Sequence, residues 1–300
     1  MTVFVFGNCT VDVFFKVDRF PIEGETLLAS SRYVDLGGKG ANQAVVAGRC
    51  GSRCVLVAPL GSDPEGALAR SRLDLEPLDI GRLISVPAPT DQSIIYIRPD
   101  GANCIVSSHD AAASLTPSHC AAALAEAVPG DIVLLQGNLS LETTRHCLAE
   151  ARECGATTLL NPAPVAFPCG DLWPLVDLAI LNEVEAAELG GDADPARAAA
   201  ALRAAGAREV IVTLGSRGAT FAGPEGAHYV PAPVVEVVDT AGAGDVFCGV
   251  VAGCLDRGLL PADALARAVS AASLAVTRSG TQSSFPDAGT LSRLLSEPAP

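Results

Sequence analysis

Basic residues are scarce in this chain: 20 Lys and Arg stand against 34 Asp and Glu, a formal charge of −14 at pH 7. That balance argues against a surface for nucleic acid or for an anionic membrane, since both need a positive face. An anionic small molecule is not excluded, because a local anion pocket can sit in an acidic protein. No charged segment leads into an apolar signal core, and the apolar run Val3 to Phe6 is far too short to span a bilayer. The ten cysteines include no CxxC pair, and neither the Cys50/Cys54 nor the Cys248/Cys254 spacing makes a metal signature with the four histidines. They read as reduced thiols, which predicts a cytoplasmic protein. Internal repeats, low-complexity segments and long linkers are missing too. No GxGxxG follows the first apolar run, which disfavours a Rossmann-type dehydrogenase, and Lys39 lacks the GKS/T order of a P-loop.

What is present is a chain of 300 residues, 49% hydrophobic and 18% charged, enough to bury a large core. Val3 to Gly7 reads as a buried first strand, and Val13 to Val17 with Leu27 to Val34 as strands of a smaller, half-exposed sheet. Ser93 to Arg98, the turn Pro99-Asp100-Gly101 and Asn103 to Ser107 read as a hairpin. Strands at Val55 to Ala58, Asp131 to Gln136, Thr157 to Leu160, Leu178 to Leu181 and Glu209 to Leu214 alternate with helices opened by Asp63-Pro64, Thr116-Pro117 and Asp194-Pro195. This alternation predicts an α/β fold, a doubly wound and mainly parallel sheet flanked by helices. The expected organisation is one domain over 1–300, with a small β lid formed from parts of 13–36 and 92–107. An exposed lid face predicts a homodimer through the lid.

The stretch Val238 to Gly249 carries the strongest chemical signal. Small residues run up to Asp245, and an apolar segment follows, as in a tight turn opening a buried helix. Gly242 and Gly244 would let an anion approach the unpaired N–H groups of that helix start. A carboxylate there repels phosphate unless it has a task, such as accepting a proton from an attacking hydroxyl. The plainer reading is a glycine turn whose Asp245 complements the helix dipole. Gly37 to Ala44 is a second glycine-rich helix start, with Lys39 and Asn42 on one face of the first turn. Its plainer reading is a capped helix with a solvated lysine. Asp12 is expected just past the end of the first strand, where open α/β sheets keep their sites, as a ligand for sugar hydroxyls or as a turn cap. Asn138, Asn182 and Gly215 fall at strand C-termini on that same edge.

In this order the pieces resemble the ribokinase-like (PfkB) carbohydrate kinase family over nearly the whole chain. Gly37 to Gly51 is similar to the family's first signature and Asp239 to Gly249 to its second, and Pro21 to Thr26, Asn161 to Pro164, Asn182 to Glu185, Thr213 to Gly218 and Thr277 to Pro286 match blocks between and after them. The resemblance implies that Asp245 is the catalytic base and that the N–H groups of Gly242, Ala243 and Gly244 form the anion hole. It implies Mg²⁺ held largely through water by Asn182 and Glu185, and ATP flanked by Thr213 and Gly215. Asp12, Gly38, Lys39 and Asn42 match the sugar-binding set. Asp239, with the carbonyls of Ala241, Ala275 and Gly280 and the hydroxyl of Ser284, matches a K⁺ site.

Three departures bear on the substrate. Thr10 stands where an Asn is usual, Asn138 where a Glu faces the sugar, and His109-Asp110-Ala111 where a Gly-Ala-Asn segment is usual. His109 reads equally well as an exposed loop residue. The expected activity is an ATP-dependent sugar kinase acting on a primary hydroxyl of D-ribose or a similar small sugar. The alternatives are a nucleoside or other ketose kinase on the same fold, or a non-catalytic sugar or nucleotide sensor; the intact Asp245 and glycine turn speak against the last.

Overall fold

The computed structural model describes residues 1–296. The N-terminal strands are β1 (Thr2–Phe6), β2 (Thr10–Lys16), β3 (Ser31–Gly37), β4 (Arg53–Val57), β5 (Pro59–Gly61) and β6 (Ile84–Val86). They are followed by β7 (Asp91–Ile97), β8 (Asn103–Ser107), β9 (Ile132–Gln136) and β10 (Thr157–Asn161). The last four are β11 (Leu178–Asn182), β12 (Glu209–Thr213), β13 (Ala219–Gly223) and β14 (Gly226–Val230). The helices are α1 (Lys39–Arg49), α2 (Pro64–Leu73), α3 (Asp110–Ala113), α4 (Pro117–Leu124) and α5 (Leu141–Glu153). α6 (Glu183–Gly190), α7 (Pro195–Ala204), α8 (Ala243–Asp256), α9 (Pro261–Ala275) and α10 (Ala288–Ser296) complete the set.

The main sheet has eight strands in the order β14-β13-β12-β11-β10-β9-β1-β4, parallel from β4 to β12. Its central strands are apolar throughout because both faces are covered. Alternate residues divide between two cores. Val3, Val5, Cys54 and Leu56 pack with the apolar faces of α1, α8 and α9, while Phe4, Phe6, Val55 and Val57 pack with α4, α5 and α7. The doubly wound sheet is as expected from the alternation. The antiparallel hairpin β13–β14 at its edge was not anticipated.

A second sheet, β3-β2-β7-β8, is built from the segments anticipated for the small one. Two details differ from expectation. The strand expected at Leu27 to Val34 runs instead from Ser31 to Gly37, because its partner β2 ends at Lys16, opposite Ser31; Ser30 N–H still reaches Lys16 O at 2.8 Å, but residues 27–29 lie beyond the end of that strand. Asp12 lies inside β2 rather than just past β1, since Thr10 already pairs with Gly37 and Asp91. Among the described residues all ten cysteines are unpaired, and no helix is long and apolar enough to cross a membrane.

Candidate active site

Two helix starts make the centre of the site. α8 is capped by Gly242 at φ 73°, a left-handed conformation that only glycine adopts without strain. A Cβ at Gly242 would also stand 2.5 Å from Phe285 Cε1, whereas one at Gly244 meets nothing within 4 Å. Asp245 follows on the first turn, 5% exposed. α1 starts from Gly38 at φ 88°, where a Cβ would lie 2.7 Å from Cys9 Cα. Ala41 N–H donates to Asn8 O at 2.9 Å, seating α1 on the turn after β1.

The two starts are joined through Asp245. Asn42 Nδ2 donates to its Oδ2 at 2.8 Å, and Gln43 Nε2 to its Oδ1 at 3.0 Å. Lys39 Nζ lies 3.8 Å from Oδ1, and that carboxylate holds the Lys39 ammonium above its ordinary value. Gln43 is itself fixed: Gln136 Nε2 donates to its Oε1 at 2.8 Å, and its own Nε2 also reaches Asn161 Oδ1 at 3.1 Å. Gln282 Nε2 donates to Asn42 Oδ1 at 3.0 Å. The base candidate therefore ends a buried amide chain. Gln43, Gln136, Asn161 and Gln282 are positioning residues that the sequence alone does not mark, beyond their place beside or inside the motif blocks.

A cavity of about 970 Å³ opens on Asp245, Asp12, Gly38, Lys39, Asn42 and Asn138. At its floor Asp12 is 6% exposed. Thr10 Oγ1 donates to Asp12 Oδ1 at 2.7 Å, Thr281 Oγ1 to Oδ2 at 3.2 Å, and Ser93, opposite on β7, adds a third hydroxyl. Burial pushes the Asp12 carboxyl above its ordinary 3.8, against those three hydroxyls. Asn138 Oδ1 is shut from solvent with no protein partner, an acceptor left for a ligand. His109 lines the same cavity but is exposed and precedes the one-turn helix α3.

A second cavity, about 480 Å³, is lined by Asn182, Thr213, Gly215, Gly244, Phe247 and Val234 among others. Asn182 and Glu185 form a reciprocal capping box at the start of α6: Glu185 N–H donates to Asn182 Oδ1 at 2.9 Å and Asn182 N–H to Glu185 Oε2 at 2.9 Å. Burial raises the Glu185 carboxyl, with Lys39 opposing and Asp245 adding to the rise. That places Glu185 in the same field as the base candidate. Thr213 closes β12, and Gly215 follows at φ 57°. Among the described residues the cavities share one lining residue, Thr240, on the glycine turn.

Of the remaining predicted set, Asp239, Ala241 and Gly280 are joined by hydrogen bonds. Asp239 is 8% exposed and accepts Ala241 N–H on Oδ1 and Gly280 N–H on Oδ2, each at 3.0 Å. Ser284 Oγ donates to Thr281 O at 2.8 Å, and Ala275 ends α9 just before the Val276 carbonyl that accepts from Val238 and Asp239 N–H.

The model for the family "pfkB family carbohydrate kinase" matches residues 2–288. The chain is 31% identical over 308 residues to the deoxyribokinase of Salmonella typhi, covering 99% of both chains. Among solved structures it is similar to ribokinase from Thermotoga maritima, with a TM-score of 0.90, 30% identity and 99% of each chain covered. Arabidopsis thaliana ribokinase complexed with ribose and ATP superposes at a TM-score of 0.89, with 28% identity and 98% of each chain covered. The chain belongs to the pfkB family of carbohydrate kinases, and is an ATP-dependent phosphotransferase acting on a sugar hydroxyl.

Proposed function

We propose that this kinase phosphorylates the primary hydroxyl of D-ribose or a close pentose analogue, with the sugar in the larger cavity and ATP in the smaller. The observation that carries this reading is the position of Asp245, buried on the glycine turn where the two cavities meet. A carboxylate offers roughly four lone-pair directions. Asn42 and Gln43 take one on each oxygen, and Lys39 stands near a third. What remains accepts the proton of the attacking hydroxyl as its oxygen bonds to the γ-phosphorus and the bond to the ADP oxygen breaks. The N–H groups at the start of α8 face the charge that develops on the transferred group. Ala243 N–H reaches only weakly back, to Thr240 O at 3.4 Å, so it too is available.

Mg²⁺ fits beside Asn182 and Glu185, whose oxygens keep lone pairs after the capping box forms; bound there, it would neutralise phosphate charge. A K⁺ ion fits the oxygen-rich corner of Asp239, Ala241, Ala275, Gly280 and Ser284. The local field supports it. The Tyr33 hydroxyl is buried there without a partner, and burial together with Asp239 and Asp35 pushes it up to about 12. The small sheet serves as a lid on the sugar and, through exposed β8, as the dimer face. Free cysteines support a cytoplasmic location. The test is ATP turnover of the purified protein over a panel of pentoses, hexoses, ketoses and nucleosides. A pentose should stand out; turnover confined to nucleosides or hexoses would overturn the assignment.

A further inference from the structure

Thr281 reaches Asp12 from 269 residues away, and its position is not left to chance. Its N–H donates to Asp35 Oδ2 at 3.0 Å, and Ser283 adds its N–H at 3.1 Å and its hydroxyl at 2.7 Å to the same oxygen. Asp35 is the register partner of Asp12 across β2 and β3, so one strand pair holds both ends of the clasp. Arg72 Nη1, 3.5 Å from Asp35 Oδ1, compensates the second carboxylate. Thr10 lies two residues from Asp12 on β2 and so faces the same side. Ser93 in turn accepts from the Ser107 hydroxyl at 2.9 Å, which leaves its own proton for Asp12.

The consequence is a matter of counting. Of the roughly four acceptor directions of a carboxylate, three at Asp12 are taken by protein hydroxyls. We propose that Thr10 and Thr281, the latter positioned by Asp35, cap Asp12 so that it accepts a single non-reacting sugar hydroxyl and not a neighbouring pair, which makes the site selective for a deoxypentose over the fully hydroxylated sugar. A vicinal diol must displace a threonine hydroxyl and strand it in a buried pocket; a deoxypentose leaves the cap intact. This rests on the reading that Asp12 faces the acceptor sugar.

The test compares kcat/KM for D-ribose with that for 2-deoxy- and 3-deoxy-D-ribose. The wild type should favour one of the deoxy sugars by about tenfold or more, the scale set by stranding one buried hydroxyl without a partner. Thr281→Val, nearly isosteric, should cut that preference severalfold, chiefly through a lower KM for ribose. Thr281→Ser should restore it. Asp35→Asn should move it in the same direction as Thr281→Val, which a purely structural role would not do. Asp12→Asn is the control on the underlying reading: it should raise KM for every sugar, and if it leaves all KM values alone, Asp12 does not face the sugar. If Asp12→Asn behaves as expected while the wild type prefers ribose, or while Thr281→Val leaves the ratio unchanged, the cap does not set specificity.

Discussion

Asn42 Nδ2 donates to Asp245 Oδ2 over 2.8 Å and 203 residues of chain, so the first turns of α1 and α8 are tied at the reacting carboxylate. Replacing Asp245 by Asn keeps an oxygen for Asn42 but removes the charge and the proton acceptor. Asp245→Asn should still bind ATP and sugar, read by calorimetry, while kcat falls by about 10²–10⁴-fold. Normal turnover in that variant would mean the base is elsewhere.

The two glycines of the same turn should separate structure from chemistry. Gly242→Ala imposes φ 73° on a residue with a Cβ, and that Cβ runs into Phe285. It should cost on the order of 1–2 kcal/mol or more in denaturant unfolding. Gly244→Ala has open space around the new methyl group, which points to unchanged stability. Its penalty should appear in kcat, as obstruction of the approaching phosphate. Equal stability losses in the two variants would contradict the geometry.

Acid should weaken sugar binding earlier than an ordinary aspartate allows. The Asp12 carboxyl is raised above 3.8 by burial, so as pH falls it takes up its proton before an exposed Asp would. The protonated group loses acceptor capacity, and KM for the sugar should climb from a pH above 3.8 downward. Asp12→Asn should flatten that limb of the profile; a limb that persists unchanged would belong to another group.

Activity should be higher in K⁺ than in Na⁺ or an organic cation at equal ionic strength. Asp239→Asn should shrink the difference, since its carboxylate supplies the charge in that corner and its two oxygens also fix the N–H groups of Ala241 and Gly280. Identical rates in all three salts would remove the cation from the mechanism.

Ile105 and Val106 on β8 are 51% and 65% exposed, at the free edge of the small sheet. Sedimentation should find a dimer for the wild type and a shift toward monomer for Ile105→Asp. A monomeric wild type would leave this face without the expected partner.

Much of this arrangement could be read from the chain before any coordinates. Buried parallel strands such as Val3 to Phe6 announce themselves as continuous apolar runs, and glycine turns ahead of Asp245 and Lys39 are dictated by local backbone needs. Where reading failed, the cause was a partner distant in sequence. Leu27 to Val34 alternate in part like a strand, yet β2 ends at Lys16 and pairs only from Ser31 onward. Asn182 and Glu185 were legible as a pair; that they also cap α6 reciprocally follows from the same spacing. Gln43, Gln136 and Asn161 carry no periodic signature, because an amide becomes a positioning group only when the fold brings another amide to it. Asp35 and Thr281, 246 residues apart, are the extreme case.

Among the described residues the two cavities have only Thr240 in common, and that residue belongs to the turn that carries Asp245. A single synthetic molecule joining a pentose to an adenosine polyphosphate would therefore have to thread past that turn, and the length of its phosphate bridge would act as a ruler. Too short a bridge forces one end out of its seat; too long a bridge wastes the advantage of tethering. The bridge length of the tightest such compound would measure, in solution, the span between donor and acceptor that the enzyme holds during transfer.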